Sequence, residues 1–77
     1  MSRLGIIAGG GGLPQKLISA CQRGGRDFFV LALQGQADFK MPDGVAHAWV
    51  RMGATNEAIS ILRKQGVDTL VMAGSVR

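Results

Sequence analysis

Three short apolar runs punctuate the chain, at residues 3–8 (RLGIIA), 28–33 (FFVLAL) and 69–73 (TLVMA). Continuous apolar runs of this length, bounded by glycine or charge, predict strands buried on both faces, as in a parallel sheet. After the first run the period changes. Leu13, Leu17, Ala20, Cys21 and Gly24 recur at helical spacing, with Gln15, Lys16, Ser19, Gln22 and Arg23 off that line. Pro14 suits the start of that helix and Gly24-Gly25 its end. A second helix is predicted from Thr55, which can cap it. Glu57 lies in its first turn, Ala58, Ile61 and Leu62 form its inner line, and Arg63 and Lys64 lie in its last turn before Gly66. Residues 45–52 (VAHAWVRM) predict a further short strand, and 34–44 a polar loop with Gly35, Pro42 and Gly44.

The order is β-α-β-β-α-β. It predicts an α/β fold: half of a Rossmann-like parallel sheet, with helices on its faces and right-handed crossovers. The stretches 25–32 (GRDFFVLA) and 66–73 (GVDTLVMA) share one helix-to-strand connection, an echo too sparse for a solenoid. The last predicted strand should feed another helix, and so few elements leave one face of the sheet poorly covered. The expectation is an amino-terminal fragment of a larger protein.

Composition narrows the function classes. Seventy-seven residues make at most one small domain. Nine Lys and Arg against five Asp and Glu leave a net charge of +4, with the basic residues scattered. That suits anions in general and gives no basic stripe or aromatic motif for nucleic acid. The single Cys21 excludes an internal disulfide and fits a reducing compartment. No run approaches the roughly 20 apolar residues of a membrane span, and no signal-peptide pattern opens the chain. The reading is cytoplasmic.

The segment 6–17 (IIAGGGGLPQKL) joins the first strand to the first helix through four glycines. Ordering a glycine costs more backbone entropy than ordering any other residue, so the run should serve a need for bare backbone. In parallel α/β sheets ligands bind beyond the carboxyl ends of the strands, which is where this run falls. Bare N–H groups followed by a helix N-terminus suit a phosphate. The alternative is a tight turn that only lets strand and helix pack closely.

A dinucleotide fits poorly. A GxGxxG frame begun at Gly9 meets Pro14 at its third glycine, and one begun at Gly10 meets Gln15. Where an acid should bind ribose after the second strand stand Leu33 and Gln34, and no Gly-Lys-Ser/Thr makes a Walker A motif. Asp27 and Asp68 open their strands. A six-residue strand spans about 20 Å, so they cannot reach a ligand on the glycine run. Asp38 and Asp43 lie at the right edge, where a solvated loop acid is the plainer reading than a metal ligand. His47 reads as a surface histidine, Trp49 as a packing anchor and Cys21 as core. Ser75, with Gly74, puts a hydroxyl and a bare backbone beside the first loop. No triad, carboxylate pair or metal cage can be assembled from these residues.

Taken together, LGIIAGGGGLP, the FFVLAL strand and WVRMGATNEAISILRKQGVDTLVMAGSVR resemble the amino-terminal domain of the UDP-2,3-diacylglucosamine pyrophosphatases of the LpxI type. The resemblance covers essentially the whole chain. Gly12 departs mildly from it, standing where a small residue such as alanine is often found. It implies a two-domain, magnesium-dependent hydrolase of lipid A synthesis that splits UDP-diacylglucosamine into UMP and diacylglucosamine 1-phosphate (lipid X) by metal-assisted attack of water. The lipid-linked UDP-sugar would lie between the domains, at the inner-membrane surface, and homodimerisation is left open. The catalytic acid and the Mg2+ chemistry belong to the second domain, beyond residue 77, so no catalytic or metal residue is expected here. By motif match, Gly11, Gly12, Leu13, Gly74, Ser75 and Val76 would line the substrate cleft. The competing readings are a nucleotide- or dinucleotide-binding module of another enzyme, and a non-catalytic docking domain.

Overall fold

A computed structural model describes residues 3–37, 40–42 and 44–74. It contains four strands and two helices in the predicted order: β1 Leu4–Ala8, α1 Leu13–Gly24, β2 Phe28–Gln34, β3 His47–Arg51, α2 Thr55–Lys64 and β4 Thr69–Ala73. All strand pairs are parallel and the sheet order is β3-β2-β1-β4. This is half of a Rossmann-like α/β fold, as the run of apolar segments implied.

The register sorts side chains onto two faces. Ile6 pairs with Val30 and Val71, and Ile7 with Leu31 and Met72. The first face packs Leu4, Ile6, Ala8, Val30 and Ala73 against Ile18 and Cys21 of α1, with Val45, Ala37 and Met41 of the β2–β3 connection added to it. The second face packs Phe29, Leu31 and Val50 against Leu62 of α2, with Ala58, Ile61 and Val67 at its margin. One helix per face follows from handedness. The β1-α1-β2 and β3-α2-β4 crossovers run in opposite directions across the sheet, so right-handed connections put their helices on opposite sides.

Several expectations change in detail. The buried line of α1 is Pro14, Ile18 and Cys21, while Leu13, Ala20 and Gly24 are exposed and Leu17 is half-buried. The stripe is rotated by one residue, about 100°, from the predicted one. Ile18 and Cys21 pack on the sheet face, and Pro14 meets the end of β4, where its Cγ would lie 3.1 Å from a Cβ at Gly74. Thr55 is the first helical residue of α2 rather than its cap, which is Ala54, and no side chain caps either helix. Ala54 takes that place because its N–H closes the Gly53 turn onto the Arg51 carbonyl while its own carbonyl accepts from Ala58. Trp49 is not a packing anchor. It projects from the edge strand β3 on the face of α1, belongs to neither buried cluster and is 38% exposed. Cys21 is buried, as expected, and His47 is exposed on the same edge.

At the amino end of the sheet Arg3 joins three elements. Its N–H donates to Asp68 Oδ1 (3.0 Å), and its guanidinium Nη1 donates to the Gln65 carbonyl (2.8 Å) and Gln65 Oε1 (3.0 Å). Arg3 Nε lies 3.3 Å from Asp27 Oδ1 without the alignment of a hydrogen bond, so this is an ion pair only. Asp27 and Asp68 are therefore connection residues at the end remote from the glycine run, as the strand length predicted.

Candidate functional site

The glycine run begins at the carboxyl end of β1. Gly9 N–H donates to the Ala73 carbonyl at 2.8 Å, so the β1–β4 ladder continues one step past the strand and holds the loop against the end of β4. Gly74 follows with a φ of +95°, a conformation only glycine adopts readily. A Cβ on Gly74 would collide with the Gly10 carbonyl oxygen and lie 2.9 Å from the Gly9 carbonyl carbon. Backbone thus meets backbone, and no other residue can stand at 74 without moving the loop.

Gly11 turns the chain outward with a φ of +88° and open space beside it. Gly12, at φ −91°, is the N-cap of α1 and is exposed. Its carbonyl accepts the first helical bond, from Lys16 N–H. The first turn of a helix leaves N–H groups without intrahelical partners, and here no side chain caps them and no acid sits in that turn. Pro14 contributes no N–H, which leaves Leu13 and Gln15 as the first-turn donors beside Gly12. Leu13 is 56% exposed at the rim.

Of the residues singled out from the sequence, Gly11, Gly12, Leu13 and Gly74 lie together at the carboxyl end of the sheet. Ser75 and Val76 lie outside the described residues, as do Asp38 and Asp43. Sequence reasoning passed over Lys16 and Arg23. With Gln15 and Ser19 they line an open concavity of about 480 Å³ that starts at Gly12 and runs along α1. The spacing of Gly12, Lys16, Ser19 and Arg23 was the available signal, since such positions share one helix face. No acidic residue occurs in α1. At the edge itself stand the backbone N–H groups and Lys16, while Arg23 lies in the last turn at the other end of the helix.

His47 takes no part in it. Its Nδ1 donates to the Val45 carbonyl at 2.7 Å. The end of β2 places Leu33 and Gln34 where a ribose-binding acid would stand, in line with the poor fit to a dinucleotide. Among the described residues no group of three or more His, Cys, Asp and Glu side chains could hold a metal ion. No helix among them is long and apolar enough to cross a membrane.

Comparison with known proteins identifies the family of the chain. The family model of the LpxI N-terminal domain matches residues 3–77. The chain is also similar to the UDP-2,3-diacylglucosamine pyrophosphatase LpxI of Caulobacter vibrioides, with 41% identity over 76 residues. That match covers 99% of this chain and 27% of the relative, so the chain spans about a quarter of the curated protein it resembles. The glycine run at the end of β1, the Gly74 contact and the order of the elements all fall within the matched span, and the chain belongs to the LpxI family through its amino-terminal domain.

Proposed function

We propose that this segment is the substrate-clamping amino-terminal domain of a two-domain hydrolase. The whole protein would split UDP-2,3-diacylglucosamine into UMP and 2,3-diacylglucosamine 1-phosphate at the inner-membrane surface, as a step of lipid A synthesis. The relative's pyrophosphatase activity supports the reaction. The observation that carries the role of this segment is the fit of Gly74 against Gly9 and Gly10, which makes one continuous edge of bare backbone from two strand ends.

On that edge Gly11, Gly12 and Leu13 would contact the substrate from one side and Gly74, Ser75 and Val76 from the other. The first-turn N–H groups of α1 hold anionic oxygen, and Lys16 adds charge at the same end of the helix. Fixed donors of this kind position a phosphate and cost no reorganisation when it arrives. Exposed Leu13 offers apolar surface next to them.

The described residues do not fit magnesium. Asp27 and Asp68 are engaged with Arg3 at the far end of the sheet, and among the described residues, which leave out Asp38 and Asp43, no acidic cluster lies near the glycine run. In this reading the segment binds and orients, and the metal-dependent chemistry would belong to the second domain.

The test is UMP release from UDP-diacylglucosamine in detergent by the full-length protein, with magnesium and then with EDTA. Release that EDTA abolishes is expected. A folded protein that releases no UMP would remove the lipid reading and leave an anion site with another ligand. In the same assay Gly11→Val should lower kcat/KM by about tenfold or more, because it loses the positive φ that aims the loop. Unchanged kinetics would remove the loop from the binding edge.

A further inference from the structure

The two helices present different charge to their surroundings. In α2 both signs occur, with Glu57 in the first turn and Arg63 and Lys64 in the last. The helix α1 (LPQKLISACQRG) carries Lys16 and Arg23 and no acid. At about 100° per residue these two fall within roughly 20° of the line opposite the buried Pro14, Ile18 and Cys21. They crown the ridge that points directly away from the sheet, about 10 Å apart along it. Ser19 lies between them on that ridge. Arg26, exposed beside Gln22, extends the ridge past the end of the helix. Its neighbour Asp27 is paired with Arg3. None of the three basic side chains has a partner among the described residues. Arg23 suits the helix dipole in the last turn, but Lys16 stands near the positive end, where a cation is unfavourable. The stability of the helix does not account for Lys16.

The shape and composition of the ridge select among anionic partners. It is convex and offers one large apolar side chain, Leu13, which is 56% exposed at the end nearest the glycine run. A protein partner would meet no apolar centre on it. Single-stranded nucleic acid would meet no aromatic side chain on which to stack. A charged helix face with an apolar residue at its border suits an anionic bilayer, where cations meet lipid phosphates and the apolar side chain enters the boundary with the acyl chains.

We infer that the ridge of Lys16, Arg23 and Arg26 is the face this domain lays on an anionic phospholipid surface, with Leu13 dipping between the headgroups. The choice of a lipid surface rests on the lipid substrate proposed above, and the ridge adds which side of the domain meets the bilayer. With α1 lying along the surface, the crevice at its start opens at the level of the headgroups. A diacylated sugar then reaches the glycine run without its acyl chains crossing water. Three charges make a reversible, salt-sensitive contact, each multiplying the partition onto the membrane roughly fivefold.

The experiment is sedimentation of the full-length protein, without substrate, with vesicles of phosphatidylglycerol and phosphatidylethanolamine or of phosphatidylcholine alone. Binding to the anionic vesicles that high salt removes is expected. Arg23→Gln combined with Arg26→Gln should lower that partition about twentyfold. Arg63→Gln combined with Lys64→Gln removes the same charge from α2 and should lower it less than about threefold. No binding to the anionic vesicles, equal binding to the neutral ones, or equal loss in the two double variants would each overturn the inference. Lys16 in the lipid-free native protein should also react with an acetylating reagent within about threefold of its rate in urea. A Lys16 shielded more strongly than that would mean that another part of the protein covers the ridge, which overturns the inference as well. UMP release in detergent keeps the two proposals apart. Release without vesicle binding would remove the membrane face and leave the reaction, and vesicle binding through the ridge without release would do the reverse.

Discussion

At the amino end of the sheet Arg3 ties the two helix-to-strand connections to β1, its side chain reaching Gln65 and Asp27 and its backbone N–H donating to Asp68. At the carboxyl end Gly9, Gly10 and Gly74 bring backbone against backbone, with no side chain between them. The first end closes the fold and uses charge to do so. The second leaves N–H groups facing outward and excludes side chains to keep them accessible. Side chains can be exchanged for others of similar reach, whereas a site built of bare backbone tolerates no addition. The carboxyl end should therefore be the more sensitive end, even though it has fewer specific interactions.

Gly74→Val tests that most severely. The new side chain meets the Gly10 carbonyl and must also adopt a φ near +95°, so a loss of roughly 3 kcal/mol or more is expected. Thermal unfolding would register it, since each kcal/mol shifts the midpoint by about 4–8 °C in a domain of this size. Arg3→Met comes next. It keeps apolar length over Phe29 and removes the Gln65 bonds and the Asp27 ion pair, for an expected cost of about 1–3 kcal/mol in urea titration. If Arg3→Met proved the costlier of the two, the comparison between the ends would be wrong.

Smaller changes sharpen the contrast within each end. Gly12→Ala should change stability by only about 0.5 kcal/mol or less, because the position has an ordinary negative φ and open space, and the lower chain entropy of alanine is offset by its poorer N-cap. Together with a loss in Gly11→Val, that result in the same denaturation assay would separate the glycine needed for conformation from the one that is only tolerated. Asp27→Asn should cost about 0.5 kcal/mol or less. Its carboxylate is mostly exposed, and the pair with Arg3 lacks hydrogen-bond alignment. A thermal midpoint falling by more than a few degrees would make Asp27 a larger part of the Arg3 junction than its geometry indicates.

Much of this fold is legible in the sequence because its strands are local apolar runs. TLVMA marks β4 to the residue, and the glycine pairs place the end of α1. The buried side of α1 is less legible, since Leu13–Leu17–Ala20–Gly24 and Pro14–Ile18–Cys21 have the same period, and only packing on the sheet selects the second. Trp49 misleads for a related reason. A large aromatic normally anchors a core, but this one stands on an edge strand and belongs to neither buried cluster.

What the sequence by itself determined was the series of elements, the parallel class of the sheet and the location of bare backbone after β1. These follow from local periodicity and from glycine's freedom, which need no distant partner. The tertiary structure alone decided that Gly74 closes on Gly9 and Gly10 and that Leu70 and Met72 lie on the open side of β4. Each of these is set by sheet register and crossover handedness, which composition and spacing do not encode.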